Sequence, residues 1–469
     1  MFTRRQAFQM FGAAALAGRL RAEESAKALT QRALGRTGRW VVPFGLGGQA
    51  SLQFPVAEVD ASENVVRAIE LGVNYLDTAN AYGASQRLYG QAIWKLKITP
   101  GHPEHDAALR ERLYIASKTG RRYALNKPNP RDVTAIDELK TSLTVMFGDG
   151  KGWIPDGAYL DCFQIHNLTS TQQVDQIYEN LDRRWDRSVD RLGALAGLLD
   201  YRDGTDYTGL NPERKHYIRH IGITGHQSSP VLMNALQRDE LNIIDTMLVA
   251  LNANDRRYQS HQYNAIPLAR ARGLGIIAMK VFSAGGIYTG MGRQPNNPSE
   301  LILSVGYPGG VDSSDLIRYP LSVPGVAVVI ACIGKIDRDR PEQDQLVANI
   351  AASQMESTAA SEKQRIEDAV AARHGASTNY FQDRARGVVQ PPTPRIERDG
   401  DRVKIRWTTA YADAQPIRSY NIVWGEHTIL SVPFRPQLTT APHEISLPVD
   451  QFGGGPFQVV ASEQYPKDY

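Results

Sequence analysis

The 469-residue chain is poor in cysteine: there are two, Cys162 and Cys332, each inside an apolar run. A disulfide framework is thereby excluded as the basis of the fold, and two buried free thiols are the expectation. The cysteines and the ten histidines show no metal-ligand spacing, so no metal site is expected. No window holds the roughly 18 consecutive apolar residues that a membrane-spanning helix needs. Neither sign of charge dominates: 53 Lys and Arg against 50 Asp and Glu leave +3. Without a basic run, there is no electrostatic case for nucleic acid. What is present, 42% apolar and 22% charged residues, is ordinary globular composition with enough apolar material for a large core.

The length makes two domains the prior. Eight short apolar runs begin at Arg39 (RWVVPFGLGG), Val73 (VNYLDTA), Leu113 (LYIASK), Leu160 (LDCFQIH), Ile221 (IGITGH), Thr246 (TMLVALN), Leu274 (LGIIAMK) and Val326 (VAVVIACIG). Each is separated from the next by room for a helix, which is the arithmetic of an α/β fold, a (β/α)8 TIM barrel, over residues 37–355. Between the runs lie helical patterns such as SENVVRAIELG, with Val65 and Ile69 on one face and Gly72 at the stop. The long connections Phe147–Ala158 and Asn167–His220 read as surface insertions. A helical segment and linker follow over residues 356–390, where VVQPPTPRIERDG stops helices and favours extended chain. From residue 391 to 469, at least five short alternating strands predict a small all-β sandwich. Trp407, Tyr420 and Val459 to Ala461 there resemble the core pattern of a fibronectin type III domain.

The N-terminus, MFTRRQAFQMFGAAALAGRLRA, sets Arg4 and Arg5 before a weakly apolar stretch from Phe8 to Ala17. Residues 1–30 resemble a twin-arginine export signal, which implies a periplasmic or secreted destination.

Three strand ends carry chemistry: Asp77 closes the second run, Lys118 the third and His166 the fourth, with Tyr82 in the loop after Asp77. In a barrel these ends open on one face. Taken singly, an aspartate caps, a tyrosine before glycine fills a turn, and a lysine or histidine is solvated or packed. Taken together, they suit carbonyl chemistry. A phenol ionises near pH 10, and a neighbouring ammonium lowers that value by favouring the phenolate. Asp77 would hold the ammonium, and a histidine can orient a carbonyl oxygen. Hydride arriving at carbonyl carbon while Tyr82 protonates oxygen is carbonyl reduction; in reverse it is alcohol oxidation.

LDTANAYGASQRLYGQAI, IASKTG, CFQIHNL and IRHIGITGH resemble the aldo-keto reductase superfamily, over about Arg39 to Asn349. The resemblance implies Asp77, Tyr82, Lys118 and His166 as the catalytic tetrad, Tyr82 being the acid. It also implies an NADP cofactor, with NAD as the alternative, lying across the barrel top. Gly47, Thr224, Met279, Lys280, Lys335 and Asn349 fall where such proteins contact it. Several positions depart from the pattern: Thr224-Gly225 stands for Ser-Asn, Leu248 for Gln, Met279 for a stacking aromatic and Gln345 for Arg. Arg338 and Arg340 are further candidates for the 2′-phosphate, and Trp153 and Tyr288 for substrate contact. The expected partner is a small carbonyl or alcohol. The alternative is a barrel that binds without turnover, with the sandwich docking to sugar or protein. A glycosidase would need two facing carboxylates, which the strand ends do not supply.

Overall fold

A computed structural model describes residues 29–55, 60–301, 311–334, 336–374, 377–384, 386–449 and 456–466. All but the last two residues of the expected export signal lie outside these, as does Lys335. All eight apolar runs form strands: β1 Phe44–Gly47, β2 Tyr75–Asp77, β3 Tyr114–Thr119, β4 Leu160–Ile165, β5 Ile218–Gly225, β6 Ile244–Ala250, β7 Gly275–Met279 and β8 Val326–Ala331. They are parallel, neighbour one another in chain order and close through β8 on β1. Burial on both faces explains why they read as continuous apolar runs rather than as alternating ones. The barrel interior is filled by Tyr75, Tyr114, Ala116, Cys162, Leu248, Ile277 and Val328, with the Tyr75 and Tyr114 rings stacked at 5.4 Å.

The first run divides in two. Trp40–Val41 pairs antiparallel with Arg32–Ala33, and the hairpin between them plants the buried Leu34 in the barrel interior. Pro43, which has no N–H to give a ladder, separates this piece from β1.

The region Asn167–His220 is not a surface insertion. It holds α4 (Thr171–Tyr178), a short strand Arg191–Gly193 paired with Tyr123–Asn126, and α5 (Ala194–Asp203), whose residues from Ala194 to Tyr201 are all buried. Four of the nine residues from Arg183 to Arg191 are arginines, and they masked the apolar helix that follows. The loop from Phe147 to Ala158 is an exposed excursion, as expected.

The barrel's outer helices include α1 (Ser62–Glu70), α2 (Ser85–Lys95), α3 (Ala135–Phe147), α6 (Ser229–Arg238), α7 (Ala265–Ala271), α8 (Ser313–Leu321) and α9 (Gln345–Ser353). α10 (Ala360–His374) packs Ile366 and Val370 on Leu316 and Tyr319 of α8. Residues 377–384 then cross the loops that follow β6 and β7. Asn379 Nδ2 donates to Asn252 Oδ1 (3.0 Å) and Asp255 Oδ1 (3.1 Å), and Ser283 Oγ donates to Thr378 O (2.7 Å). The segment between barrel and sandwich is therefore a packed strap over most of its length, not a free linker.

Two antiparallel three-stranded sheets end the chain: β9 (Arg395–Asp399), β10 (Arg402–Trp407) and β13 (His443–Pro448) in one, β12 (His427–Pro433), β11 (Ser419–Trp424) and β14 (Phe457–Ser462) in the other. Trp407, Tyr420, Ile422, Val459 and Ala461 share their core. β9 was hidden in the proline-rich stretch because all five of its residues are exposed, leaving no alternation to read. The sheets dock on α6 and on the start of α7. Asn264 imitates a strand there, accepting from Ala412 N (2.7 Å) and donating to Ala412 O (3.1 Å). Gln237 Nε2 donates to Thr409 Oγ1 and to Gln437 O, each at 3.0 Å. Replacing Asn264 by Ala leaves the buried Ala412 peptide without either partner, at a cost of about 2 kcal/mol. Thermal denaturation should show a lower midpoint, and an unchanged one would mean that docking rests on other contacts.

Candidate active site

β2 ends on Asp77, β3 carries Lys118 one residue before its end, and His166 directly follows β4, so the barrel's pitch brings the three to one opening. Lys118 Nζ forms an ion pair with Asp77 Oδ1, and both side chains are almost fully buried. The same ammonium donates to Thr78 O at 2.9 Å. The second Asp77 oxygen accepts from Gln164 Nε2 at 2.9 Å. Asn80 Nδ2 donates to Lys118 O at 2.9 Å and holds the strand end in place.

Tyr82 reaches this pair from the loop because Gly83 turns the chain. Gly83 has φ +49°, in the left-handed region that favours glycine, and a Cβ there would stand 3.0 Å from Gln53 O. Lys118 Nζ lies 4.7 Å from the centroid of the Tyr82 ring. Tyr82 Oη is 3.4 Å from His166 Nε2, the two rings meeting edge-on at 81°.

Electrostatics sharpen one expectation and reverse another. Burial pushes Tyr82 above its ordinary value, and the neighbouring Lys118 opposes this without overcoming it. The phenol therefore keeps its proton at neutral pH, where neighbouring charge alone pointed to a lowered value. Burial likewise pushes the Asp77 carboxyl up, against the pull of Lys118 and Gln164. Burial would lower Lys118, but Asp77 and Tyr82 outweigh it and hold the ammonium above its ordinary value. His166 is pushed down to about 3 by burial and then by Lys118, Arg122 and Lys280. It is neutral at physiological pH.

A cleft open to solvent runs from Asp77 and Tyr82 past Gly47–Ala50 and Met279–Phe282 to Gln345 and Asn349 of α9. Gly47, Met279, Lys280 and Asn349 line it, as do Leu248 and Tyr288. A Cβ on the next glycine, Gly48, would stand 2.7 Å from Asp77 O, so this wall is built for close backbone packing. Lys280 sits at φ +59°, and Ser283 and Ala284 share its left-handed backbone, a concentration of strain beside the cleft. Its Nζ donates to Gln49 Oε1 at 3.0 Å and, among the described residues, meets no carboxylate. Burial, and then Lys118, lower its pKa.

Other expected contacts fall elsewhere. Thr224 is fully buried and outside the cleft wall; its Oγ1 accepts from Asn167 N at 2.8 Å. The hydroxyl is spent on the turn after β4. Arg338 is paired with Glu70 (2.7 Å) and Glu63 (3.2 Å) of α1, and Arg340 with Asp337 (2.9 Å), so neither is a free phosphate ligand. Trp153 is exposed and does not line the cleft. Gln164 was missed, although two-residue spacing along CFQIH places it on the inward face with Cys162 and His166. Gln49 and Arg122 carried no signal in the sequence.

The sequence profile of the aldo/keto reductase family matches residues 43–361. The chain is similar to L-galactose dehydrogenase of Arabidopsis thaliana, with 36% identity over 172 residues, 36% of this chain and 48% of the relative. It is similar to the uncharacterized oxidoreductase YqkF of Bacillus subtilis (strain 168), with 27% identity over 137 residues, 28% of this chain and 38% of the relative. The matched stretch thus spans less than half the length of either curated relative. Among solved structures, the holo form of aldo-keto reductase AKR11C1 from Bacillus halodurans aligns at 19% identity and a TM-score of 0.43, over 74% of this chain and 99% of that one.

The His166 shift has a sign. Unfolded, the ring titrates near 6.5, while in the fold it titrates at about 3. Between those values the unfolded state binds the extra proton, so stability falls as pH drops from 6.5 towards 3. His226 and His261, also lowered chiefly by burial, share this limb. Denaturant titrations of His166→Gln across that window should show a shallower acid decline than the parent. Parallel curves would contradict the assignment.

Proposed function

Because the chain belongs to the aldo/keto reductase family, we propose that it is an oxidoreductase interconverting a small carbonyl compound and its alcohol with a nicotinamide cofactor. The observation that carries this reading is the meeting of Tyr82, His166 and the Lys118–Asp77 pair at one end of the cleft. The residues along that cleft fit a dinucleotide. Lys280 is a cation with no carboxylate partner among the described residues, suited to a phosphate or a carboxamide oxygen, and Met279 offers an apolar surface to a ring. Asn349 supplies amide hydrogen bonding at the α9 end. When bound, a nicotinamide supplies or takes the hydride at the carbonyl carbon.

In the reducing direction Tyr82 gives its phenolic proton to the carbonyl oxygen. Burial keeps that proton in place beforehand, and the Lys118 ammonium beside the ring stabilises the phenolate left behind. Asp77 and Thr78 O keep the ammonium directed. Neutral His166 offers a ring N–H to the same oxygen and fixes its approach, without competing with Tyr82 as an acid. In the oxidising direction the same atoms act in reverse order.

NADP is the cofactor we favour over NAD, on family habit, and the name of the plant relative makes sugars the first natural substrates to screen. A barrel that binds without turnover is the competing reading, supported by Thr224 being committed to Asn167 rather than to the cleft. Fluorescence titration with NADPH and with NADH, followed by a turnover assay on a carbonyl probe, separates them: saturable binding with turnover supports the reductase, and binding of neither, or binding without turnover, opposes it. With 4-nitrobenzaldehyde as probe, Tyr82→Phe should lose turnover by at least about 100-fold while binding cofactor like the parent. Full activity in that variant would sink the mechanism.

We also propose export by the twin-arginine route, on the strength of Arg4, Arg5 and the weakly apolar stretch after them. Residues 1–30 fused to a folded reporter should direct it to the periplasm, and changing both arginines to Lys should retain it in the cytoplasm. Equal export of both fusions would refute the assignment.

A further inference from the structure

Arg122, four residues beyond Lys118, belongs to no motif, yet it grips the turn that carries His166. Its Nη2 donates to His166 O (2.8 Å), Asn167 O (3.1 Å) and Gln173 Oε1 (3.2 Å). The turn needs holding. Asn167 has φ +53°, its N–H is given to Thr224 Oγ1, and its Oδ1 lies 2.8 Å from His226 Nδ1. Strands β3, β4 and β5 thus all contribute to one junction directly behind the imidazole.

The guanidinium is kept there at a cost. Nε and Nη1 are buried without a hydrogen-bond partner, and no carboxylate among the described residues lies within ion-pair distance. Burial lowers even this strong base to about 10, against a weak pull from Glu138. A neutral amide would avoid the desolvation of a charge. What a guanidinium adds is the reach that brings Nη2 among three acceptors and a charge that does not leave.

We propose that Arg122 is a positioning residue for His166, fixing the direction of the imidazole through the backbone of its turn and disfavouring a second positive charge on the ring. The proposal rests on the reading of His166 as the group that orients the substrate oxygen. The groups facing the ring are Tyr82 after β2, Lys118 on β3, Arg122 after β3, His226 after β5 and Lys280 after β7. Two of the three cations have other duties: Lys118 is paired with Asp77 and lies against Tyr82, and Lys280 lines the cleft. Arg122 spends its side-chain hydrogen bonds on the turn that carries the ring. A protonated His166 would become a competing acid beside Tyr82, so a fixed charge behind it keeps the proton on the phenol.

The test compares Arg122→Met, Arg122→Lys and Tyr82→Phe in the full chain, with NADPH and 4-nitrobenzaldehyde. Arg122→Met should lower kcat roughly 10- to 100-fold, the scale of a misplaced catalytic group, with NADPH affinity unchanged. By NMR of histidine-labelled protein, the His166 midpoint should move up in Arg122→Met and stay in place in Arg122→Lys. Arg122→Lys should recover only part of kcat, since the shorter lysine side chain does not carry its ammonium to the place where Nη2 meets all three acceptors. A parent-like kcat and a parent-like midpoint in Arg122→Met overturn the proposal. Should Arg122→Met fail to fold, Arg122→Lys decides: reduced kcat with an unmoved midpoint supports the grip, and parent-like kcat refutes it. An inactive Tyr82→Phe beside a parent-like Arg122→Met sinks this proposal alone, whereas an active Tyr82→Phe sinks the functional reading and this one with it.

Discussion

The Asp77–Lys118 ion pair is the constraint around which the barrel mouth is arranged. Taking two charges out of water costs several kcal/mol per ion, and their mutual attraction repays this only when the remaining donors and acceptors are met. Here they are met by Gln164 from β4, Thr78 O just beyond β2 and, at the backbone, Asn80. The pair itself joins β2 to β3 and Gln164 ties it to β4, so satisfying it fixes how the three strands stand relative to one another. The ring of Tyr82 then rests over a cation that has nowhere else to go.

Desolvation, more than neighbouring charge, decides the protonation of the site. The same burial that keeps the Tyr82 proton on also keeps a proton off His166, because in both cases it favours the neutral form. The site therefore holds two neutral hydrogen-bonding groups beside three cations, Lys118 paired with Asp77, and Arg122 and Lys280 without an ion-pair partner among the described residues. Such a field favours negative charge wherever it develops, as it does on a carbonyl oxygen receiving hydride. It also favours the phosphates of a dinucleotide.

The barrel was legible because its strands are buried on both faces: a run such as VAVVIACIG has few other ways to fold. Asp77, Lys118 and His166 were legible as polar ends of such runs, where an apolar residue would otherwise continue the pattern. What was not legible lay in three-dimensional accounting. The paired arginines of Arg121-Arg122 look alike in sequence, yet one is an exposed partner of Glu138 and the other is held behind His166. Thr224 resembled a cleft residue until Asn167 took its hydroxyl. Arg338 and Arg340 looked like free cations until nearby carboxylates claimed them. The helix Ala194–Asp203 was concealed by charged neighbours, and β9 by having no buried face at all.

The strap formed by residues 377–384 bears on the order in which the molecule can be completed. β8 ends at Ala331, but Asn252, Asp255 and Ser283, on the loops beside the cleft, each take a partner from Thr378 or Asn379. A nascent chain can therefore close its barrel some fifty residues before the mouth of that barrel is buttressed, and domains generally fold in the order in which they emerge. The sandwich comes last, fastened through Asn264 and Gln237 to helices already in place. Completion of the barrel mouth is in this sense a late event of synthesis, and a chain halted after the eighth strand would hold Asp77, Tyr82, Lys118 and His166 while its rim still lacked its final supports.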